Sequence, residues 1–341
     1  MRDEISEYSR KAWITGGIYA LIVVVLLILK ATFSVLLLIF AGALIALFLT
    51  GLGQLIQKKT KWNRGISTVI SVLLTFLIMA GLIWLIGSKV QSQLTQLSEA
   101  LPEIVQSARQ NIGKYSVGET VIDKLTSPES LKKAEAVAAT FFRSSFGVLG
   151  DVYIILLMAI FFTVSPDSYK SGMISMIPKK GRERGTQIID KLANKLRKWL
   201  KGQLIAMLVV TIMTGIGLAI IGVPMWLALA IIAGILNFIP NFGPIMAMVP
   251  AVLVSLTISP ATAVIVAALY ITVQVIESSL ITPNVQKRLI DIPPALIIIA
   301  QLLISPLAGG WGLVLATPLM AVIMTLVQEL YIRKQDAKKV A

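Results

Sequence analysis

Asn237-Phe238-Ile239-Pro240-Asn241-Phe242-Gly243-Pro244 interrupts an apolar run that extends over residues 226–258. A helix that simply crossed a bilayer would have no use for proline, glycine and asparagine at its middle. Unwound backbone at membrane depth leaves amide and carbonyl groups unpaired, so it persists only where protein buries it or where it lines a water-filled cavity. The arms on either side are too short to cross the hydrocarbon core alone, which takes about 20 residues. Each suits a half-helix. A second apolar run, 293–331, is interrupted in the same manner by Ser305-Pro306-Leu307-Ala308-Gly309-Gly310-Trp311-Gly312. Paired broken helices of this kind point to transport.

The rest of the chain agrees. It has 341 residues, of which 56% are hydrophobic and 14% charged, with a mean hydropathy of +0.85, far too apolar for a soluble domain of this size. It contains no Cys and no His. That removes disulfides, thiolate chemistry, the usual zinc ligands and the side chain that most often carries protons near neutrality. No P-loop, His-Glu-x-x-His or Gly-x-Ser-x-Gly sequence is present, so neither an ATP-driven pump nor an intramembrane hydrolase has motif support. No enzymatic activity, cofactor or metal is expected. The net charge of +14 sits mainly between apolar spans, where membrane orientation and lipid headgroups explain it, and no nucleic-acid partner is implied.

Apolar lengths place helices at 12–29, 33–49 and 66–87, which with their flanks make up an amino-terminal scaffold, 1–87. Residues 88–145 mix acids and bases with apolar residues at helical spacing, as expected of amphipathic helices outside the bilayer. Residues 146–164 form a further span and 165–203 a basic amphipathic segment. Within that segment Lys195, Arg197, Lys198 and Lys201 alternate with Leu192, Leu196, Trp199 and Leu200, a pattern that reads as a helix lying on anionic lipid. Residues 204–331 form the core, with a span at 204–223, the broken stretches 226–258 and 293–331, and a span at 261–281 between them; 332–341 is a tail.

Lys58, Lys59, Lys61 and Arg64 place the loop after the second helix in the cytoplasm by the positive-inside rule, and the basic segment 165–203 agrees. On that count both termini are cytoplasmic, 88–145 is external, and the two broken stretches enter as hairpins from opposite faces. The expected architecture is all-α: a polytopic integral membrane protein with two broken or re-entrant hairpins.

Several motifs extend this reading. Gly202-Gln203, Gly222-Val223-Pro224, Ile239-Pro240-Asn241-Phe242-Gly243-Pro244, Pro250-Ala251, Gln274-Val275-Ile276-Glu277, and Ala316-Thr317-Pro318-Leu319-Met320-Ala321 resemble the AI-2E family of bacterial membrane transporters. The resemblance implies about eight membrane elements, an external helical insertion, residence in the bacterial cytoplasmic membrane and a homo-oligomer. Members of that family are described as exporters of the quorum-sensing molecule autoinducer-2, and some as sodium or lithium/proton antiporters.

The expected pathway residues are Asn237, Pro240, Asn241, Gly243 and Pro244 at the first break and Gly309, Gly310 and Gly312 at the second, with Gln274 and Glu277 between them in sequence. The asparagines and the open backbone offer donors and acceptors to a small polar solute. The carboxyl ends of half-helices near Asn237 and Ile304 offer carbonyls suited to a monovalent cation. Glu277 has two readings. An acid within a membrane helix marks an ion path or coupling site, while one close to the interface pairs with Lys287 or Arg288. The primary functional expectation is alternating-access export of a small polar solute such as autoinducer-2. Beside it stand a Na⁺(Li⁺)/H⁺ antiporter and, from another class, a membrane scaffold whose insertion binds a partner.

Overall fold

The computed structural model describes residues 2–81, 84, 150–256, 258–281 and 293–332, and all regular structure among them is helical. The expected insertion at 88–145 lies outside these residues, as do Lys287, Arg288 and all but the first residue of the tail.

Helix α1 (Arg2–Thr60) is one helix of 59 residues, where the sequence predicts separate helices at 12–29 and 33–49. The residues between, Lys30-Ala31-Thr32, contain no glycine or proline, and lysine and alanine favour helix. The hydroxyl of Thr32 also donates back to the carbonyl of Ile28 at 2.8 Å, satisfying it inside the same helix. The cytoplasmic placement of the amino terminus depended on a turn at this point, and α1 has none. A left-handed Lys61 ends α1, and Asn63 caps α2 (Arg64–Gly81) by accepting the Ile66 amide at 2.9 Å. Helices α3 (Gly150–Val164) and α4 (Pro166–Ser175) meet at 89°. Pro166 causes the bend, since it has no amide proton and disfavours helical backbone at the preceding Ser165.

Helix α5 (Arg182–Ile221) runs for 40 residues and stops at Gly222, whose φ of +81° is the left-handed C-terminal conformation glycine accepts. The part of the basic segment from Arg182 onward and the span after it are therefore one continuous helix. The apolar stripe of the basic half does not lie on lipid: Leu196, Trp199 and Leu200 are buried against Leu37, Leu38, Ala41 and Leu44 of α1, Ile155 of α3, and the later residues Leu315 and Ala321. The correction has a simple cause. An amphipathic stripe has the same pattern whether acyl chains or leucines cover it.

After α5 come two short helices, α6 (Trp226–Leu236) and α7 (Phe242–Leu256), of 11 and 15 residues, about 17 and 23 Å long. Neither crosses a core of about 30 Å by itself. Ser259 caps α8 (Pro260–Ile276) by accepting the Thr262 amide at 3.0 Å, and α8 widens into a π-turn, Glu277–Ile281. Helix α9 (Pro294–Val327) is broken by non-helical backbone at Ala308 and Gly309 and ends in a second π-turn, Gln328–Ile332.

Two apolar cores result. One joins α5 to α8 through Val210, Leu218, Leu229, Ala247, Val266 and Tyr270. The other joins α1, α3, α5 and α9, and it includes Phe238 of the first break together with Ile304, Ala308 and Trp311 around the second. Trp199, 3% exposed, anchors it, meeting the Phe238 ring edge to face at 5.7 Å. Trp199→Ala is expected to destabilise the protein by about 3–5 kcal/mol. The check is the thermal unfolding midpoint in detergent, with Trp199→Phe retaining most of the stability. Equal midpoints for Trp199→Ala and the native chain would remove Trp199 from this role.

Candidate functional site

Both breaks turn the chain back on itself. A Cβ built on Gly243 would lie 1.8 Å from the carbonyl oxygen of Leu236, seven residues earlier, and one on Gly312 would lie 2.7 Å from that of Ile304, eight residues earlier. In a straight helix such residues are about 10–12 Å apart along the axis. The breaks also share a second device. Each contains a residue of positive φ shortly before its glycine: Asn241 with φ of +68° and Gly309 with φ of +57°. Asparagine and glycine tolerate that conformation best.

The first turn is held from two sides. Gln203, on α5, donates its side-chain N–H to the main-chain carbonyl of Asn237 at 2.8 Å. Gln301, on the first arm of α9, donates to the carbonyl of Pro240 at 3.0 Å. Gln301 is 0% exposed and Gln203 6%. The Asn237 carbonyl thus finds a donor within protein, and the Pro240 carbonyl, which also accepts the Phe242 amide at 2.8 Å, gains a second one, as an unwound segment in a membrane requires. The Gln301 bond also ties the first break to the helix that carries the second. There, Trp311 donates its indole N–H to a carboxylate oxygen of Asp151 on α3 at 2.7 Å, fixing the turn among Gly309, Gly310 and Gly312 to a neighbouring helix.

Several buried polar atoms around these turns have no hydrogen-bond partner among the described residues: the side-chain N–H₂ of Asn237, the side-chain oxygen of Gln301 and the hydroxyl of Thr317. Asn237 and Gln301 offer one free donor group and one free acceptor. Leaving such groups unpaired costs about 1–3 kcal/mol each, which marks them as groups suited to a polar ligand.

The structure brings Asn237, Pro240, Asn241, Gly243 and Pro244 into one turn and Gly309, Gly310 and Gly312 into the other, and the Gln301 bond links the first turn to the arm leading into the second. Gln274 and Glu277 form a pair of their own. Gln274 donates to the Glu277 carboxylate at 3.3 Å, Glu277 is 8% exposed, and this end of α8 rests on α5. The sequence pattern does not mark Gln203 or Gln301 as pathway groups. The signal available for Gln301 was a lone amide in the apolar run Leu296-Ile297-Ile298-Ile299-Ala300-Gln301-Leu302-Leu303, a context in which a polar side chain needs a partner. No local pattern links Asp151 to Trp311.

The family model described as AI-2E family transporter matches residues 18–332. The Bacillus subtilis (strain 168) protein named "Putative transport protein YrrI" is 27% identical, over 84% of this chain and 84% of its own length. The "AI-2 transport protein TqsA" of Escherichia coli (strain K12) is 21% identical, over 82% of this chain and 83% of its own.

Proposed function

The chain belongs to the AI-2E family of transporters, and we propose that it exports a small, neutral, hydrogen-bonding solute such as autoinducer-2 by alternating access at the paired breaks. The observation that carries this reading is the clasp on the first turn. The carbonyls of Asn237 and Pro240, which would serve a bare cation, each already accept an amide N–H. What remains unpaired is a donor on Asn237 and an acceptor on Gln301, a combination that suits a hydroxyl, which both donates and accepts. The name of the Escherichia coli relative agrees with this choice of solute.

In this mechanism the two turns hold the solute near the middle of the membrane, and the hairpins rock against α1, α3 and α5 to expose it to each side in turn. The site lies in a bacterial cytoplasmic membrane. A second reading has its own support: Glu277 is a buried acid in a membrane helix, the kind of group that couples flux to protons or binds a cation.

Flux into proteoliposomes decides between them. The expected result is movement of autoinducer-2 by the native chain. If Glu277 couples that movement to protons, its dependence on a proton gradient disappears in Glu277→Gln. Movement of protons driven by Na⁺ or Li⁺, with no autoinducer-2 flux, would replace the exporter by the antiporter. Absence of any flux under every gradient would favour the scaffold.

A further inference from the structure

The first turns of α5 and the π-turn after α9 border an open polar cleft of about 530 Å³, well separated from the clasped turn: Arg184 and Gln203 are about 28 Å apart along α5 at 1.5 Å per residue. Glu183, Arg184, Gln187 and Lys191 line one side from a single face of α5, joined by Lys180 from the 3-10 turn Lys179–Gly181 that precedes it, and Glu329 lines the other. Glu329 is 7% exposed. Its carboxylate pairs with the Lys191 ammonium, and its main-chain carbonyl accepts an N–H from the Arg184 guanidinium. One turn further along α5, Lys195 donates to the Thr325 hydroxyl at 3.2 Å. A row of cations on α5 therefore faces the carboxyl end of α9, where the helix dipole favours positive charge.

These bonds do not use up the cationic groups. Arg184 engages Glu329 through Nη2 alone, leaving the rest of its planar fork unpartnered among the described residues, and Lys180 makes no bond there. Both line the cavity. A guanidinium fork beside a lysine ammonium is the donor set that recognises phosphate oxygens, and the volume lies in the range of small-ligand sites. We propose that this cavity binds a phosphate-bearing anion, a phosphomonoester or phosphodiester, with Arg184 and Lys180 as its charged donors and Lys191 shared between the ligand and Glu329.

The test uses the full chain in a neutral detergent. Retention of phosphatidylglycerol against phosphatidylcholine is measured by native mass spectrometry, and the response to inorganic phosphate by the thermal unfolding midpoint. The native chain is expected to bind one or the other phosphate source, and Lys180→Gln/Arg184→Gln to weaken that binding by about tenfold or more. The doubly substituted Lys198→Gln/Lys201→Gln, with the same change in net charge, is expected to bind as the native chain does. Lys180→Gln alone removes no bond of the fold and is expected to weaken binding severalfold. Binding of phosphatidylglycerol without response to inorganic phosphate identifies a lipid headgroup; response to inorganic phosphate alone identifies a soluble ligand. Binding of neither by the native chain overturns the proposal, as does an equal loss in the two double variants. Flux of the transported solute plays no part in these readouts, so the transport mechanism and this site stand or fall separately.

Discussion

Gly243→Ala is expected to yield little or no folded protein. The added methyl would lie 1.8 Å from the Leu236 carbonyl oxygen, 2.5 Å from its carbon and 3.1 Å from the Asn237 nitrogen. These are main-chain atoms, which cannot swing aside as a flexible side chain would. Relief requires opening the turn, yet the Gly243 amide donates to Ile239 at 2.9 Å and the turn's other carbonyls are held by Gln203 and Gln301. Overpacking of well-filled sites commonly costs about 1–3 kcal/mol; a clash with fixed backbone at this distance lies beyond that range and is large against a typical stability of about 5–15 kcal/mol. The measurement is the yield of monodisperse protein by size-exclusion chromatography. Gly310→Ala serves as the comparison, because a Cβ there meets nothing within 4 Å. Equal yields from the two variants would show that the first turn is not as tight as described.

Replacing Gln301 by Leu is the second large change expected. The shape is nearly kept and the Pro240 carbonyl retains the Phe242 amide at 2.8 Å, but the bond that ties the first break to α9 is lost, at a cost of about 0.5–1.5 kcal/mol. Gln203→Leu removes the buried side-chain donor of the Asn237 carbonyl, at a cost of about 1–3 kcal/mol. The two losses act on one short turn, so once either bond is gone the turn relaxes and the other bond is worth less. The double variant is expected to lose less than the sum of the singles, by about 0.5 kcal/mol or more. Unfolding in mixed micelles measures this cycle, and strict additivity would mean that the glutamines hold separate features. If the clasp also shapes the solute site, flux falls further in Gln301→Leu than the loss of folded protein accounts for.

Much of this architecture is written in local pattern. Proline and glycine mark both breaks; the carboxyl end read near Asn237 is the observed end of α6 at Asn237, and that read near Ile304 falls a few residues before the non-helical Ala308 and Gly309. The clasp could not be read in that way. Gln203 and Asn237 are 34 residues apart, Gln301 and Pro240 are 61, and Asp151 and Trp311 are 160. Such pairings are set by how helices stack, which a single sequence does not encode at short range. The same limit explains the two corrections. Apolar lengths divide 12–29 from 33–49, although nothing in Lys30-Ala31-Thr32 breaks a helix. The stripe at Leu196, Trp199 and Leu200 looks fit for lipid, although other helices cover it.

The continuity of α5 has a mechanical consequence. Over about 60 Å it runs without a proline or a break in the helix, so Arg184 and Gln203, which grips the Asn237 carbonyl, sit on one element that can couple them. Reciprocity then fixes the sign in both directions: if occupancy of the cleft beside Glu329 tightens the hold on solute by some factor, solute tightens the hold on that occupant by the same factor.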